Sequence, residues 1–446
     1  MSRIPPIACR LLFLAAAQTA CVSAGVVVAT VDRPVLHHSV SHTSDAESVH
    51  RMSVARLADL TRAMERAVSS GAVPGVVTLV HRNGVEVHSD VIGARDLEAG
   101  EPLSRDTIFR IHSMSKPVTS VAAMILVEEG TIGLASPVSE WLPELAHVRV
   151  LRTPTAALSD TEPLARAITV RDLLTHTSGL AYGFTAQGPL RRALRAAGLD
   201  GSNSDRTPDE FMAALGRLPL DHQPGTAWLY SLSDDVLGVL IERASGVPFP
   251  DFLRTRIFEP LGMKDTGFWV PAEKLDRLAV AYLRRPKRGG LVVIDRPSKS
   301  RYASPPSFAS GGGGLVSTAD DYMRFARMFL GGGALDGVRI LSRESIERMT
   351  TDSLTAAEKR GSTHPVARSA VFPGSSYGLG MRVATEGGRP GSLETPGTLA
   401  WGGAAGTSYF VDPARKLAAV LMVQVMGDTA SVRADFDIIV HQAVTD

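Results

Sequence analysis

Cysteine is almost missing from this chain of 446 residues, which contains only Cys9 and Cys21. Both lie close to the amino terminus, so residues 22–446 contain no thiol at all. That stretch therefore has no means of forming an internal disulfide or a cysteine-based metal or redox centre. Aromatic residues are also few, at 6% of the chain.

An excess of charge of either sign is missing as well. Lysine and arginine number 47 against 46 acidic residues, which leaves a net charge of +1. This balance gives no electrostatic reason to expect a nucleic-acid or anionic-membrane partner. The glycine run 311–314 has no following Gly-Lys-Ser/Thr, so it predicts a backbone turn and not a phosphate loop. We expect no cofactor and no metal.

The longest uncharged run lies at the amino terminus. Arg3 and Arg10 precede residues 11–31, which carry no charge and include small residues just before position 25. This pattern predicts a signal peptide over residues 1–24 and an exported protein, periplasmic or secreted, with no lasting membrane span. An N-terminal membrane anchor is the alternative. Residues 25–52 contain four histidines among polar residues and predict a disordered linker in preference to a metal site.

What the chain does contain is a serine and a lysine one helical turn apart. The tetrad Ser113-Met114-Ser115-Lys116 has the form S-x-x-K and opens a run of apolar residues with helical spacing that ends at Gly130. The Ser113 hydroxyl and the Lys116 amine can therefore meet on one helix face. A serine needs such a base, because its free hydroxyl is a weak nucleophile.

Five further segments downstream of the tetrad have the form of motifs. They are the segment 168–180, the triplet Pro224-Gly225-Thr226, the pentad Trp228-Leu229-Tyr230-Ser231-Leu232, the triplet Leu261-Gly262-Met263 and the triplet Trp401-Gly402-Gly403. In order and spacing they resemble the serine β-lactamase and penicillin-binding-protein superfamily, above all the family VIII carboxylesterases. The resemblance covers roughly residues 53–440.

The resemblance implies a role for individual residues. Ser113 would attack the substrate, and Lys116 and Tyr230 would share the duty of the base. The backbone N–H groups of Ser113 and Ala404 would form the oxyanion hole, which stabilises the negative charge of a tetrahedral intermediate.

The substrate-binding residues come from the second and third motifs, and the resemblance implies that they are Trp228, Leu232, Trp401, Gly402 and Gly403. Two of them depart from the β-lactamase pattern. Leu232 stands where an asparagine is usual, and Trp401 stands where a lysine is usual. Both changes replace polar groups by apolar surface, which favours uncharged acyl esters over β-lactams.

A second serine lies in a hydrolase motif, because Gly374-Ser375-Ser376-Tyr377-Gly378 fits G-x-S-x-G. That motif requires a strand before it and a helix after it. Here a glycine-rich, strand-like segment follows, so Ser376 is predicted to be a loop or strand residue without a catalytic role. His441 is predicted to lie on the surface of the last helix.

The sequence pattern predicts a mixed α/β (α+β) fold. Asn83-Gly84 between two apolar runs predicts a β-hairpin. We expect residues 53–130 and 265–446 to form an α/β domain, with an antiparallel sheet flanked by the first and last helices. Residues 131–264 would form an inserted helical domain, with the active site at the junction. The resemblance implies the same architecture, which is that of the β-lactamases and transpeptidases.

These observations predict a serine carboxylesterase that hydrolyses short-chain esters through an acyl-enzyme, with a small-molecule ester and water as its partners. The alternatives are a β-lactamase or D-alanyl-D-alanine carboxypeptidase, and a non-catalytic peptidoglycan- or ligand-binding module. Acyl transfer to an alcohol also stays open. The sequence places neither the loops 284–310 and 352–376 nor the oligomeric state.

Overall fold

The structure is a computed structural model, and it describes residues 50–199, 205–285, 290–365, 371–372, 374–388 and 391–445. The predicted signal peptide and almost all of the predicted linker lie outside these residues. Within them, no helix has both the length and the apolar character that a membrane crossing requires.

The largest element is an eight-stranded antiparallel sheet with the order β12-β13-β14-β15-β16-β1-β2-β3. The strands of the described chain are β1 (Gly75–Arg82), β2 (Val85–Asp96), β3 (Glu101–Pro102), β4 (Phe109–Arg110), β5 (Val150–Leu151), β6 (Thr161–Glu162), β7 (Ala281–Arg284), β8 (Leu291–Asp295), β9 (Val316–Ser317), β10 (Ala334–Leu335), β11 (Val338–Arg339), β12 (Ser375–Tyr377), β13 (Arg382–Ala384), β14 (Leu399–Gly402), β15 (Ser408–Asp412), β16 (Leu417–Met422) and β17 (Val425–Met426).

Helices cover the sheet and fill the middle of the chain. They are α1 (Val54–Ser69), α2 (Ser115–Glu128), α3 (Val170–Leu174), α4 (Gly188–Ala196), α5 (Pro208–Leu215), α6 (Ser233–Ser245), α7 (Phe249–Leu253), α8 (Glu259–Leu261), α9 (Ala319–Leu330), α10 (Arg343–Met349), α11 (Ala356–Gly361) and α12 (Ala430–Gln442). A π-helical turn joins α7 to α8.

The predicted hairpin is confirmed at its turn. Asn83 and Gly84 both have positive φ, at 51° and 83°, and they join β1 to β2 with Arg82 paired to Val85. A two-residue turn of this kind needs positive φ at both positions, which asparagine and glycine adopt at the least cost.

Strand β1 separates two hydrophobic clusters. Val77 and Leu79 belong to one, and Val76 and Val80 belong to the other. Since successive side chains of a strand point to opposite faces, one buried strand supplies both clusters. Helices α1 and α12 close the second cluster, as the sequence predicts for the first and last helices.

The first cluster includes α2, α6 and apolar side chains from much of the chain between them. It runs from Val77 to Met422 and so crosses both predicted domain boundaries without interruption. The division into an α/β and a helical domain stays a prediction. Helix α2 lies inside this cluster, since each residue from Ser115 to Leu126 is buried.

Candidate active site

Ser113 lies in a 3₁₀ turn, His112–Met114, that leads directly into α2. The segment before it is fixed by a hydrogen bond from Ile111 N–H to the Leu315 carbonyl, at 3.0 Å. His112 has φ of 45°, a conformation that non-glycine residues rarely adopt. Such backbone strain persists only where the surroundings hold it in place, and it often accompanies functional sites.

The structure brings Ser113, Lys116 and Tyr230 together. Tyr230 Oη and Ser113 Oγ form a hydrogen bond of 2.7 Å, and Lys116 Nζ lies 3.5 Å from the same oxygen. The Lys116 ammonium is also 4.6 Å from the centre of the Tyr230 ring. Tyr230 is 117 residues from Ser113 along the chain. The serine hydroxyl therefore lies within 3.5 Å of a phenol oxygen that can exchange its proton and of an ammonium that can stabilise negative charge.

Lys116 has no accessible surface, although it is a charged residue. Its Nζ donates to the Gly312 carbonyl at 2.5 Å. Burial lowers the pKa of this ammonium, but the Tyr230 oxygen and two neighbouring carboxylates more than offset burial, so its pKa is raised above the ordinary value. We therefore treat Lys116 as a cation that stabilises negative charge on its neighbours.

The glycine run supplies the acceptor for Lys116. A Cβ on Gly312 would lie 2.6 Å from both Asp235 Oδ2 and Tyr182 Oη, and one on Gly311 would lie 2.3 Å from the Asp234 carbonyl oxygen. Only glycine fits so close to α6. The sequence predicts the turn correctly but not this function, because the partners of Gly312 lie far away along the chain.

Asp235 holds the glycine turn in position. Its carboxylate accepts from Gly312 N–H at 3.2 Å and from Tyr182 Oη at 3.3 Å, and it also accepts from Ser310 Oγ. Burial raises the pKa of Asp235, and the charge of Lys116 offsets part of that effect. The signal available in the sequence was Asp234-Asp235, two acids next to each other in an apolar helix, where burial of an acid requires a partner.

A buried histidine lies behind Tyr230. The His176 ring is 4.9 Å from the Tyr230 ring, and its Nε2 is 3.3 Å from Asp234 Oδ2. Burial lowers the pKa of His176, which favours the neutral imidazole, and burial raises the pKa of Asp234, an effect that the charge of Lys116 partly offsets. His176 Nδ1 is 3.1 Å from Ser231 Oγ, which links the pair to the motif containing Tyr230.

The predicted oxyanion hole lies at the end of β14. A Cβ on Gly403 would be 2.4 Å from the Ile111 carbonyl oxygen, so this strand end packs directly against the turn that contains Ser113. Gly403 N–H donates to the Thr407 carbonyl at 2.8 Å, which fixes the bend before Ala404. The pairing of the Ser113 and Ala404 N–H groups stays a prediction.

The predicted substrate-binding residues fall into two groups. Trp401 and Gly402 are partly accessible, and the Trp401 ring lies 5.6 Å from the Tyr230 ring. Trp228 and Leu232, at 1% and 0% exposure, and Gly403 are closed to solvent. The side chains of Trp228 and Leu232 therefore pack within the protein, and direct contact between the five predicted residues and a substrate stays a prediction.

Ser376 is in a different environment. It is buried in strand β12, with no helix directly after it, and its hydroxyl donates to Asp352.

His441 lies in α12 as predicted, but the predicted surface position is wrong. Its ring is 4% exposed and stacks on Phe410 at 4.4 Å. An aromatic partner on the sheet buries this histidine, which the helical pattern alone did not reveal.

No group of acidic, histidine or cysteine side chains with the arrangement of a metal site occurs among the described residues.

A family model described as Beta-lactamase matches residues 60–443. The chain belongs to the β-lactamase family. Protein Rv1367c of Mycobacterium tuberculosis is 44% identical over 359 residues, which cover 80% of this chain and 86% of that protein. Esterase EstB of Burkholderia gladioli is 33% identical over 381 residues, covering 82% and 89%. Its similarity supports the resemblance to esterases found in the sequence.

Solved structures agree on the fold. EstCE1, described as a hydrolase with promiscuous acyltransferase activity, matches with a TM-score of 0.73 and 28% identity over 88% of this chain and 99% of that chain. A class C β-lactamase from Rhodobacter sphaeroides matches with a TM-score of 0.60. The fold is that of the β-lactamases and transpeptidases, as the sequence predicts.

Proposed function

We propose that this protein is a serine esterase that hydrolyses small, uncharged carboxylic esters through an acyl-enzyme on Ser113. The observation that carries the proposal is the contact of one hydroxyl with a phenol oxygen and an ammonium: Ser113 Oγ lies 2.7 Å from Tyr230 Oη and 3.5 Å from Lys116 Nζ. The similarity to EstB and EstCE1 supports a serine hydrolase or acyltransferase of this family.

In the first half of the reaction the Tyr230 side chain acts as a phenolate: Ser113 Oγ attacks the ester carbonyl, and the serine proton passes to the phenolate oxygen. The positive charge of Lys116 stabilises the phenolate before it takes that proton. The backbone N–H groups of Ser113 and Ala404 would stabilise the oxyanion. The bond from the carbonyl carbon to the alkoxy oxygen then breaks, and the alcohol leaves with the proton from Tyr230.

In the second half, water attacks the acyl-enzyme carbonyl while Tyr230 takes a proton from that water. The bond between the acyl carbon and Ser113 Oγ breaks, Tyr230 passes that proton to the serine oxygen and becomes a phenolate again, and the carboxylic acid leaves. Lys116 stays close to the reacting oxygens throughout, because its Nζ is tied to the Gly312 carbonyl.

Trp401 supports the choice of uncharged esters. At this position in the β-lactamase pattern, a lysine offers its charge to the substrate carboxylate, and a hydrogen bond to a charged group is worth about 1.5–3 kcal/mol. An indole presents an apolar face and a single N–H donor instead. The Trp401 N–H has no hydrogen-bond partner within the described part of the chain.

A substrate panel tests the proposal. We expect kcat/KM for p-nitrophenyl acetate and butyrate to exceed that for a long-chain ester and, by a wide margin, that for a chromogenic cephalosporin. Trp401→Ala should shift the ratio of ester to cephalosporin kcat/KM in a variant that remains folded at the assay temperature. A preference for the cephalosporin would contradict the proposal. A protein that neither turns over an ester nor reacts with a fluorophosphonate would favour the non-catalytic binding module.

Acyl transfer to an alcohol is the second candidate, because EstCE1 is described as having this activity besides hydrolysis. Adding a primary alcohol to the same assay separates the two reactions. Formation of a new ester in place of the free acid would show that the acyl-enzyme prefers the alcohol to water.

A further inference from the structure

The loop between α3 and α4 holds an aromatic side chain beside the proposed active site. Phe184 is 52% exposed, yet its ring stacks on Tyr182 with centres 4.9 Å apart and planes 13° apart. Tyr182 is buried and lies 5.3 Å from the Tyr230 ring. Phe184 itself is 6.2 Å from Tyr230. The exposed ring is thus the outer member of an aromatic stack that reaches the proposed base.

Hydrogen bonds fix this loop to the site. Thr185 Oγ1 donates to the Tyr230 carbonyl at 2.9 Å and accepts from Tyr182 N–H at 2.9 Å. Ala186 N–H donates to the Tyr182 carbonyl at 2.8 Å. Single exposed apolar residues are common on protein surfaces and need no explanation. Phe184 differs from them because hydrogen bonds hold Tyr182, before it, and Thr185, after it, next to Tyr230.

Trp401 approaches Tyr230 from another part of the fold. It lies on β14, opposite Tyr409 of β15, and its ring also contacts Tyr377 at 5.3 Å. Both Phe184 and Trp401 contact the Tyr230 ring, but among the described aromatic rings no contact joins these two to each other. Phe184 lies in a loop between two helices and Trp401 lies in the sheet, and the ring that both contact carries the hydroxyl bonded to Ser113.

We propose that Phe184 and Trp401 bind an aromatic ring of the substrate, so that the natural substrate is an aromatic ester. The inference rests on the proposed esterase function. Stacked and edge-to-face aromatic pairs add about 0.5–1.5 kcal/mol beyond the area that they bury, which corresponds to about 3- to 10-fold in kcat/KM. Because the two side chains are already held in place, the substrate gains this contact without ordering a loop.

The test compares esters of equal size that differ in aromaticity. Ethyl phenylacetate is compared with ethyl cyclohexylacetate for a ring on the acyl side, and benzyl acetate with cyclohexylmethyl acetate for a ring on the alcohol side. Titration of the released acid gives kcat/KM without a chromogenic group, and each value is divided by the rate of the hydroxide-catalysed reaction. We expect the aromatic member of at least one pair to be preferred by about 3- to 10-fold.

Variants assign the preference to the ring. Phe184→Leu keeps an apolar side chain but removes one of the two aromatic faces, so the preference should fall. Phe184→Tyr keeps the ring and should retain the preference. Trp269→Leu is the matched control, because Trp269 is also an exposed aromatic residue, at 36%, but lines a separate cavity with Phe258 and Phe268. Melting temperatures show whether each variant is folded.

The outcomes separate the two proposals. If neither these four esters nor p-nitrophenyl acetate is hydrolysed, the proposed function fails. If p-nitrophenyl acetate is hydrolysed but neither pair shows an aromatic preference, or if the preference is unchanged in Phe184→Leu, the inference about Phe184 is overturned while the esterase function stands. Loss of the preference in Trp269→Leu would also overturn it, since a remote change would then have the same effect.

Discussion

The chain contains two hydrolase motifs, S-x-x-K at residues 113–116 and G-x-S-x-G at residues 374–378. Their candidate nucleophiles, Ser113 and Ser376, have very different surroundings. Ser113 lies in a strained turn with a phenol and an ammonium within 3.5 Å. Ser376 lies in a regular strand, and its hydroxyl donates to the carboxylate of Asp352. A motif defines which residue types are present, but reactivity depends on which groups surround the hydroxyl in space.

The largest effect should come from the two serines themselves. Ser113→Ala should abolish esterase turnover and covalent labelling by a fluorophosphonate, because both require the same activated hydroxyl. Ser376→Ala should retain both. Labelling that survives in Ser113→Ala but disappears in Ser376→Ala would reverse the comparison.

The next largest difference in turnover should separate variants of two tyrosines, Tyr230 and Tyr377. Tyr230→Phe removes the proton carrier and should lower kcat by about 10²- to 10⁴-fold with the fold intact. Tyr377→Phe is the matched control, since the Tyr377 hydroxyl is buried and has no hydrogen-bond partner among the described residues. It should leave turnover unchanged. A native circular dichroism spectrum with a loss of less than about threefold in Tyr230→Phe would remove Tyr230 from the proton path.

The smallest expected effect on turnover comes from a comparison of two glycines, Gly312 and Gly378. Gly312→Ala places a Cβ against Asp235 and Tyr182 and displaces the acceptor of Lys116, so kcat should fall about 10- to 100-fold, as expected for a displacement of about 1 Å at a reacting group. Gly378→Ala places a Cβ 2.1 Å from the Met349 carbonyl oxygen. It should cost about 1–3 kcal/mol of stability, as overpacking does.

The glycine comparison depends on measuring stability and turnover separately. Chemical unfolding and kcat per folded molecule should show mainly a loss of turnover for Gly312→Ala and mainly a loss of stability for Gly378→Ala. An equal loss of turnover in both would mean that Gly312 has only a packing role.

The sequence predicts the parts of the site whose signals are local. The helix after Ser113 follows from the spacing of its apolar residues, although the α-helix begins at Ser115 after a 3₁₀ turn. The Asn83-Gly84 hairpin follows from the conformations that its two turn residues adopt. The association of Tyr230 with Ser113 came from resemblance to a family and not from periodicity.

Contacts between distant parts of the chain were not predictable. Lys116 bonds to Gly312, which is 196 residues away, and no local pattern points to that partner. Trp228 and Leu232 flank Tyr230 in the sequence, yet only the packing of α6 and the aromatic cluster around them shows that both are closed to solvent. His441 has a polar side chain in a helical pattern, but its stacking on Phe410 buries it.

The position of β1 in the sheet also sets the order in which this protein can fold. Its neighbours are β2, which follows it after two residues, and β16, which lies more than 330 residues later, with Val77 opposite Met422. Long-range pairing of this kind is slow, because the entropy of closing a long loop is lost before the contacts form. The sheet cannot close around β1, and Trp401 cannot reach Tyr230, until β14 and β16 have been synthesised. Ser113 and its partners Tyr230 and Lys116 are made earlier, but the sheet that carries Trp401 beside them is completed only near the end of synthesis.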